Sequence, residues 1–198
     1  MAEMLKLDNI HKTFNPGTIN EKIALNGVNL TLNEGDFVTV IGGNGAGKST
    51  TLNAIAGVWP IDSGKIYIGG DDVTKLSEHK RAKYLGRVFQ DPMTGTATTM
   101  SIEENMAIAA RRGEKRGLSW GITHQERDTY REMLKTLDLG LEDRLTSKVG
   151  LLSGGQRQAI TLLMASIKKP KLLLLDEHTA ALCLLYTSPS PRDVEESR

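Results

Sequence analysis

The sequence predicts an α/β fold in which a core of buried strands and helices carries an antiparallel β layer and an inserted helical subdomain. Three observations lead to this prediction. Residues 36–41 are apolar and β-branched, and a glycine-rich turn and a helical pattern follow them. That order is typical of a strand, a loop and a helix in a parallel sheet. Four leucines at 172–175 predict a second strand, buried on both faces, and residues 94–161 between the two have helical periodicity.

The overall composition describes a chain with room for a substantial core and little net charge. It has 198 residues, 39% hydrophobic, with a net charge of +1, so nothing in the charge indicates a nucleic-acid partner. No apolar run reaches the length of about 18 residues that a membrane span requires, and no signal peptide precedes residues 4–7. A single cysteine, Cys183, excludes a disulfide within the chain. We therefore expect a cytoplasmic protein.

The predicted β layer lies in the first seventy residues. Residues 4–41 alternate in the manner of strands, and the segments 23–25 and 28–32 are expected to pack as an antiparallel side layer. Residues 65–68 predict a further strand, which ends in a Gly-Gly-Asp-Asp turn. These predicted strands lie before and after the glycine-rich turn in the sequence.

The glycine-rich turn is a candidate phosphate site. Residues 42–49 match the pattern G-x-x-x-x-G-K-[ST] without a mismatch. Glycines let consecutive N–H groups and the positive end of the following helix point at an anion. Lys48 supplies a charge for the β- and γ-phosphates, and the Ser49 hydroxyl is suited to Mg²⁺. The loop residues of this predicted ATP site are Gly42, Gly43, Asn44, Gly45, Ala46, Gly47, Lys48, Ser49 and Thr50.

The four leucines end in two carboxylates, Asp176 and Glu177. Ligands of open α/β sheets bind at the carboxyl edge of the strands, so both side chains are expected at the site. Asp176 would hold Mg²⁺ through water, and Glu177 would polarise the attacking water as the general base.

A third candidate site begins the last helical run. Ser153, Gly154, Gly155 and Gln156 precede an apolar pattern. A helix N-terminus with a Gly-Gly backbone and a serine hydroxyl forms a cradle for an anion. An ordinary helix cap is the alternative interpretation of the same residues.

The helical subdomain contains two further predicted helices. Ser101 and Glu104 form a capping box at the start of the first. The second spans 125–139, with an apolar face that includes Tyr130 and Leu134, and the polar residues 111–125 are expected to form the loop between them.

Taken together, these motifs make residues 1–182 resemble the ATP-binding subunit of an ATP-binding cassette (ABC) transporter, in particular of importers of tryptophan, tyrosine or related amino acids. The resemblance implies an ABC-type phosphate-loop ATPase core over residues 1–93, a helical subdomain at 94–161 that contains the signature, and a return to the core at 162–182. It also implies ATP and Mg²⁺ as cofactors.

The resemblance assigns two more residues. Gln90 stands where the family has the Q-loop glutamine, which contacts Mg²⁺ and acts in catalysis beside Lys48 and Glu177. Phe14 lies 34 positions before Lys48, where the family places an aromatic ring that stacks on adenine. A place in the hydrophobic core is the alternative for Phe14.

The resemblance also implies partners. The signature, residues 153–156, would contact the nucleotide held by a second subunit, in a homodimer or with a paired ABC subunit. The helical subdomain would receive a membrane permease, which a solute-binding protein serves, at the cytoplasmic face of the membrane. Met93, Met100 and Met106 suit such a surface and suit a helical core equally well.

Residues 183–198 depart abruptly from the family, which has aspartate at position 183 and a histidine about thirty residues later. The run from Cys183 to Asp193 is what the transposon adapter of tagmentation sequencing libraries encodes. We therefore interpret 183–198 as a non-native tail and expect this chain to hydrolyse ATP poorly. A divergent natural tail rich in proline and serine is the alternative.

Two other functions compete with transport. A DNA-repair ATPase of the family would interrupt the cassette with long coiled coils, whereas 63 positions without sustained heptads separate Gln90 from Ser153. A soluble ATPase of the translation type, with two cassettes, stays open. A non-catalytic ATP-binding module is opposed by the presence of Lys48, Asp176 and Glu177 together.

Overall fold

The computed structural model describes residues 2–91, 93–114 and 121–176. Glu177 and the predicted non-native tail lie outside these residues. The chain divides into two compact units. The first comprises the described residues of 1–86 and 169–174, and the second comprises those of 87–168 and 175–176.

An antiparallel sheet dominates the first unit, as the sequence predicts. Its order is β2-β1-β3-β4, and every neighbouring pair is antiparallel. Both predicted segments of the side layer belong to one strand, β2, which is kept in register with β1 through several bulges. The strands are β1 (Glu3–Phe14), β2 (Lys22–Asn33), β3 (Ser63–Ile68) and β4 (Asp71–Asp72).

Helix α1 (Lys48–Ala56) packs its last turn into the core of this unit. Ala54, Ile55 and Ala56 are buried there with alternate residues of β1 and β3, because side chains two apart on a strand share a face. The helix ends at Gly57, whose φ of 82° is the left-handed conformation that glycine adopts without strain. This burial fixes the helix that follows the glycine-rich loop.

A buried arginine closes the carboxyl end of α1. Arg81, at the end of the short helix α2 (Glu78–Arg81), is 2% exposed. Its Nη1 donates to the carbonyl oxygens of Ala54 and Ile55, at 2.7 and 2.8 Å. Its Nε and Nη2 donate to the carbonyls of Leu76 and Thr74, both at 2.9 Å. Burial lowers the pKa of the Arg81 guanidinium, and these four acceptors compensate its desolvation.

The strands β5 (Leu85–Val88) and β6 (Leu172–Leu175) form a second sheet, two-stranded among the described residues. Its pairing is parallel, since the N–H groups of Leu172 and Asp176 donate to the carbonyls of Tyr84 and Val88. The expectation that β6 is buried on both faces is wrong: Leu174 is buried, whereas Leu173 is 38% exposed. No third strand of the described chain covers this sheet.

The strand expected at residues 36–41 is absent. This segment has no regular secondary structure, and its apolar side chains are exposed, Phe37 by 73% and Ile41 by 89%. A strand requires a hydrogen-bonded neighbour, and the described residues provide none beside this segment. The apolar and β-branched pattern therefore indicates strand propensity here, but propensity without a pairing partner does not produce a strand.

The second unit is helical and has its own core. Its helices are α3 (Ile102–Ala110), α4 (His124–Lys135) and α5 (Gly154–Ser166). The predicted capping box at Ser101 is present, and Thr123 and Glu126 form another at α4. The helix predicted over 125–139 ends earlier than expected, but its face with Tyr130 and Leu134 is buried.

The methionines of this region divide between core and surface. Met106 has no exposed surface and belongs to the core of the second unit, so the interpretation of this residue as a docking surface is wrong. Met93 is 53% exposed. Among the described residues, no helix is both long and apolar enough to cross a membrane.

We predict that Arg81→Met destabilises the protein by about 3 kcal/mol, because four hydrogen bonds to buried or partly buried main-chain carbonyls are lost. Urea unfolding followed by circular dichroism measures the loss. Arg131→Met is the matched control, since Arg131 forms an exposed ion pair with Asp128 and such pairs contribute little. Equal stability of the two variants would contradict the capping role of Arg81.

Candidate functional site

The glycine-rich loop lies against strand β2. A Cβ added to Gly47 would come within 2.6 Å of the Ala24 carbonyl oxygen and 3.4 Å of the Leu25 side chain. The φ of Gly47 is 88°, which also disfavours a side chain. Only glycine permits this approach, so the loop is held where α1 begins.

The N-terminus of α1 is kept free of competing groups. Its cap, Gly47, has no side chain to accept the first N–H groups, and its first turn contains no acidic residue. The Lys48 ammonium donates to the carbonyls of Gly42 and Gly43, at 2.6 and 3.0 Å. A positive helix end, the backbone of an exposed loop and this cation together suit a phosphate chain.

The remaining loop residues divide by exposure. Asn44, Gly45, Ala46 and Ser49 are exposed, so the Ser49 hydroxyl is accessible at the first turn of α1. Thr50 is buried, with 9% of its surface exposed. Its side chain therefore serves the packing of α1, and a phosphate contact of Thr50 would have to come from its main-chain N–H.

Phe14 ends β1, beside the first residue of β2. It is half-buried and lies outside the buried core of the first unit, which opposes the core alternative. Its ring and the Trp59 ring form a T-shaped pair, with 5.1 Å between centroids and an interplanar angle of 83°. The Lys12 ammonium stands 5.6 Å from the ring centroid. These two neighbours orient the ring of Phe14.

Asp62 ties the end of β1 in place. Its carboxylate accepts from the Lys12 ammonium at 2.9 Å and from the Thr13 N–H. The Asp62 N–H donates to the His11 carbonyl at 2.8 Å. The hydrogen bond from Lys12 holds the pKa of the Asp62 carboxyl below its usual value. Sequence reasoning does not single out Trp59 and Asp62, because nothing in their spacing distinguishes them from turn residues after a helix.

Helix α5 begins after Ser153, whose side chain caps the helix, whereas α1 has no side-chain cap. The Ser153 Oγ accepts from the Gln156 N–H at 3.3 Å, and the Gln156 Oε1 accepts from the Ser153 N–H at 3.1 Å. A Cβ at Gly154 or Gly155 would have no neighbour within 4 Å among the described atoms. Ser153 and Gln156 therefore cap the helix, and the open glycine backbone leaves the anion cradle as a prediction.

Arg157 supports the turn that precedes this helix. Its Nη2 donates to the carbonyls of Gly150 and Leu152, at 3.3 and 3.2 Å. A Cβ at Gly150 would lie 2.9 Å from the Thr98 carbonyl oxygen. The backbone before Ser153 is thus packed closely while the glycines after it remain open.

Gln90 and Asp176 follow the two parallel strands of the second sheet. Gln90 is exposed at a bend after β5, and Asp176 is partly exposed at the end of β6. Because the carboxyl ends of parallel strands meet at one edge, the structure brings these two residues to the same edge. Glu177, the predicted base, lies outside the described residues.

The oxygen donors offered to a metal come from different residue types. Within the described ranges no group of three or more His, Cys, Asp or Glu side chains could hold a metal ion. The ligands predicted from the sequence are of other types: the Ser49 hydroxyl belongs to the first unit, and the Gln90 amide and the Asp176 carboxylate belong to the second. Hydroxyl, amide and carboxylate oxygens suit Mg²⁺, which also takes ligands from phosphate.

The sequence comparisons place these motifs in one family. Residues 25–180 match the family model described as ABC transporter. The chain is 41% identical over 184 residues to a tyrosine transport ATP-binding protein of Clostridioides difficile, covering 90% of this chain and 71% of the relative. It is 37% identical over 179 residues to the spermidine/putrescine import ATP-binding protein PotA of Haemophilus ducreyi, covering 90% of this chain and 44% of the relative.

Solved structures confirm the α/β cassette fold. A dimeric post-hydrolysis state of the ATP-binding cassette MJ0796, bound to ADP and Pi, matches with a TM-score of 0.75 and 31% identity, over 90% of this chain and 75% of that one. The ADP conformation of the cassette MJ1267 matches with a TM-score of 0.72 and 29% identity, over 94% and 74% of the chains.

We predict that Gly47→Ala destabilises the first unit by about 2 kcal/mol or more, because the new Cβ collides with a backbone carbonyl at a positive φ. Thermal unfolding measures the effect. Gly43→Ala is the control in the same loop, since a Cβ there has no neighbour within 4 Å. The close approach of the loop to β2 is refuted if both variants unfold like the parent.

Proposed function

Since this chain belongs to the ABC transporter family, whose ATP-binding cassettes are ATPases coupled to transport, we propose that it is the subunit that binds and hydrolyses ATP to power the import of a small solute through a partner permease. The observation that carries the proposal is the glycine loop at the N-terminus of α1. This helix end has no side-chain cap, and the Lys48 ammonium donates to the Gly42 carbonyl of the loop.

The first step of the proposed function is binding of the nucleotide. The loop N–H groups and the α1 N-terminus would receive the phosphate chain, and Lys48 its β- and γ-phosphates. Lys48 would exchange the carbonyls of Gly42 and Gly43 for phosphate oxygens, which are stronger acceptors for an ammonium. Phe14, oriented by Trp59 and Lys12, would stack on the adenine.

The second step is hydrolysis. Ser49, Gln90 and Asp176 are the proposed holders of Mg²⁺, Asp176 through water, and the bound ion would neutralise charge that develops on the phosphates. Glu177 would orient the attacking water and accept its proton. Lys48 would keep the γ-phosphate in line by binding its oxygens.

The signature supplies the other half of the site in a dimer. In the proposed assembly, Ser153, Gly154 and Gly155 face the γ-phosphate of the nucleotide held by a second subunit, either a copy of this chain or a paired ABC subunit. The open glycine backbone at the start of α5 supports this role. A cassette with 31% identity has been solved as a dimer.

The relatives also guide the proposed substrate and location. The relative with 41% identity is named for tyrosine transport, whereas the polyamine relative is 37% identical and the choline transport protein OpuBA of Bacillus subtilis is 35% identical. We propose amino-acid import, with a permease in the membrane, a solute-binding protein that serves it, and this chain peripheral at the cytoplasmic face. A soluble ABC ATPase is the alternative, and co-purification with a permease from membranes separates the two.

We predict that Lys48→Ala lowers the affinity for ATP by about tenfold or more, because a charge that faces the phosphates is lost. Isothermal titration calorimetry on the 198-residue chain measures the affinity. Lys80→Ala, which removes an exposed lysine of α2, is the control. An unchanged ATP affinity of Lys48→Ala would rule out the loop as the nucleotide site.

We predict that Gln156→Glu keeps ATP binding by the single chain and weakens ATP-dependent dimers. The capping box survives the change, but a carboxylate then stands beside the proposed γ-phosphate contact. Sedimentation with ATP and Mg²⁺ follows dimer formation. Glu104→Gln, at the matching position of the capping box of α3, is the control for exchanging Gln and Glu in a capping box. Equal amounts of ATP-dependent dimer in both variants would argue against a signature that acts between subunits.

A further inference from the structure

Lys22 extends across the surface between Phe14 and the glycine loop. It is the first residue of β2, and its Cα is paired with that of Phe14. Its side chain is exposed, and its Nζ lies 3.4 Å from the point where a Cβ on Gly45 would stand. Gly45, with a φ of 82°, belongs to the loop proposed to hold phosphate.

The ammonium of Lys22 is available for an anion. It has no hydrogen bond or ion pair with another residue of the described chain, whereas Lys12, nearby on β1, is engaged with Asp62. The first turn of α1 contributes no carboxylate that could compete for it. An unpaired cation close to a loop rich in N–H donors raises the local positive potential.

We propose that Lys22 is a second cation of the nucleotide site and that it binds the α-phosphate, the phosphate nearest the base. This inference rests on the proposed function. The α-phosphate is assigned because Lys22 is paired with Phe14, the proposed stacking residue, and reaches the loop at Gly45. Lys48, at the first residue of α1, is left to the β- and γ-phosphates. The two lysines would thus divide the phosphate chain by position.

The division of the phosphates can be tested with nucleotides of different length. Affinities for ATP, ADP, AMP and adenosine are measured by the quenching of Trp59 fluorescence in a Trp120→Phe background. Lys22→Gln is expected to lower the affinities for ATP, ADP and AMP by about fivefold each and to leave that for adenosine unchanged. Lys48→Ala is expected to affect ATP and ADP but not AMP.

Two further variants serve as controls. Lys22→Arg keeps the positive charge and should restore most of the affinity. Lys65→Gln removes an exposed lysine of β3, opposite Asp8, which is six residues along β1 from Phe14 and so about 20 Å away; it should change no affinity. Circular dichroism of each variant shows that it is folded.

Each other outcome overturns the proposal. If Lys22→Gln binds every ligand like the parent, Lys22 is an ordinary solvated lysine. If adenosine affinity falls as far as ATP affinity, the residue acts through the base site. If ATP affinity falls and AMP affinity does not, the assignment to the α-phosphate is wrong. The proposed function fails separately, when the parent does not bind ATP or Lys48→Ala binds it equally well.

Discussion

The approach of Gly47 to the Ala24 carbonyl is the constraint on which the rest of the site depends. In the described chain no strand pairs with residues 36–41, so the glycine loop is not positioned by the segment that leads into it. Strand β2 positions it instead, with Ala24 and Leu25 against Gly47 and Lys22 against Gly45. Since β2 is paired in register with β1, the positions of the Phe14 ring and of the loop both depend on this strand pair. A change of register in that pair would displace both.

Helix α1 transmits this constraint to the core. At its N-terminus the helix has no side-chain cap. At its C-terminus the carbonyls of Ala54 and Ile55 accept hydrogen bonds from Arg81. A buried arginine is costly to desolvate, and it is stable here because each of its four hydrogen bonds reaches a main-chain carbonyl. A Cβ on Gly57 would lie 2.9 Å from the Arg81 Nε, so the glycine that ends the helix also makes room for the guanidinium.

Features that depend on residues close together in the sequence could be predicted, whereas the pairing of strands could not. The capping box at Ser101 depends on residues three apart, and the glycine loop depends on a contiguous pattern, so both could be predicted and both are present in the structure. The segment at 36–41 has strong strand propensity, but a strand forms only beside a partner that comes from elsewhere in the chain. Arg81 could not be foreseen either, because its acceptors at Ala54 and Thr74 lie 27 and 7 residues away.

The four longer helices of the described chain differ in how they treat the positive charge of their N-termini. The first turns of α3 and α4 contain Glu104 and Glu126, which close capping boxes with a carboxylate. Helix α1 has no side-chain cap, and α5 closes its box with the neutral Gln156. A carboxylate satisfies a helix end that has only to be stable, and it repels an anion at the same place. The two helix ends proposed to meet phosphate are therefore the two from which acidic residues are missing, which ties the choice of caps to function rather than to helix stability alone.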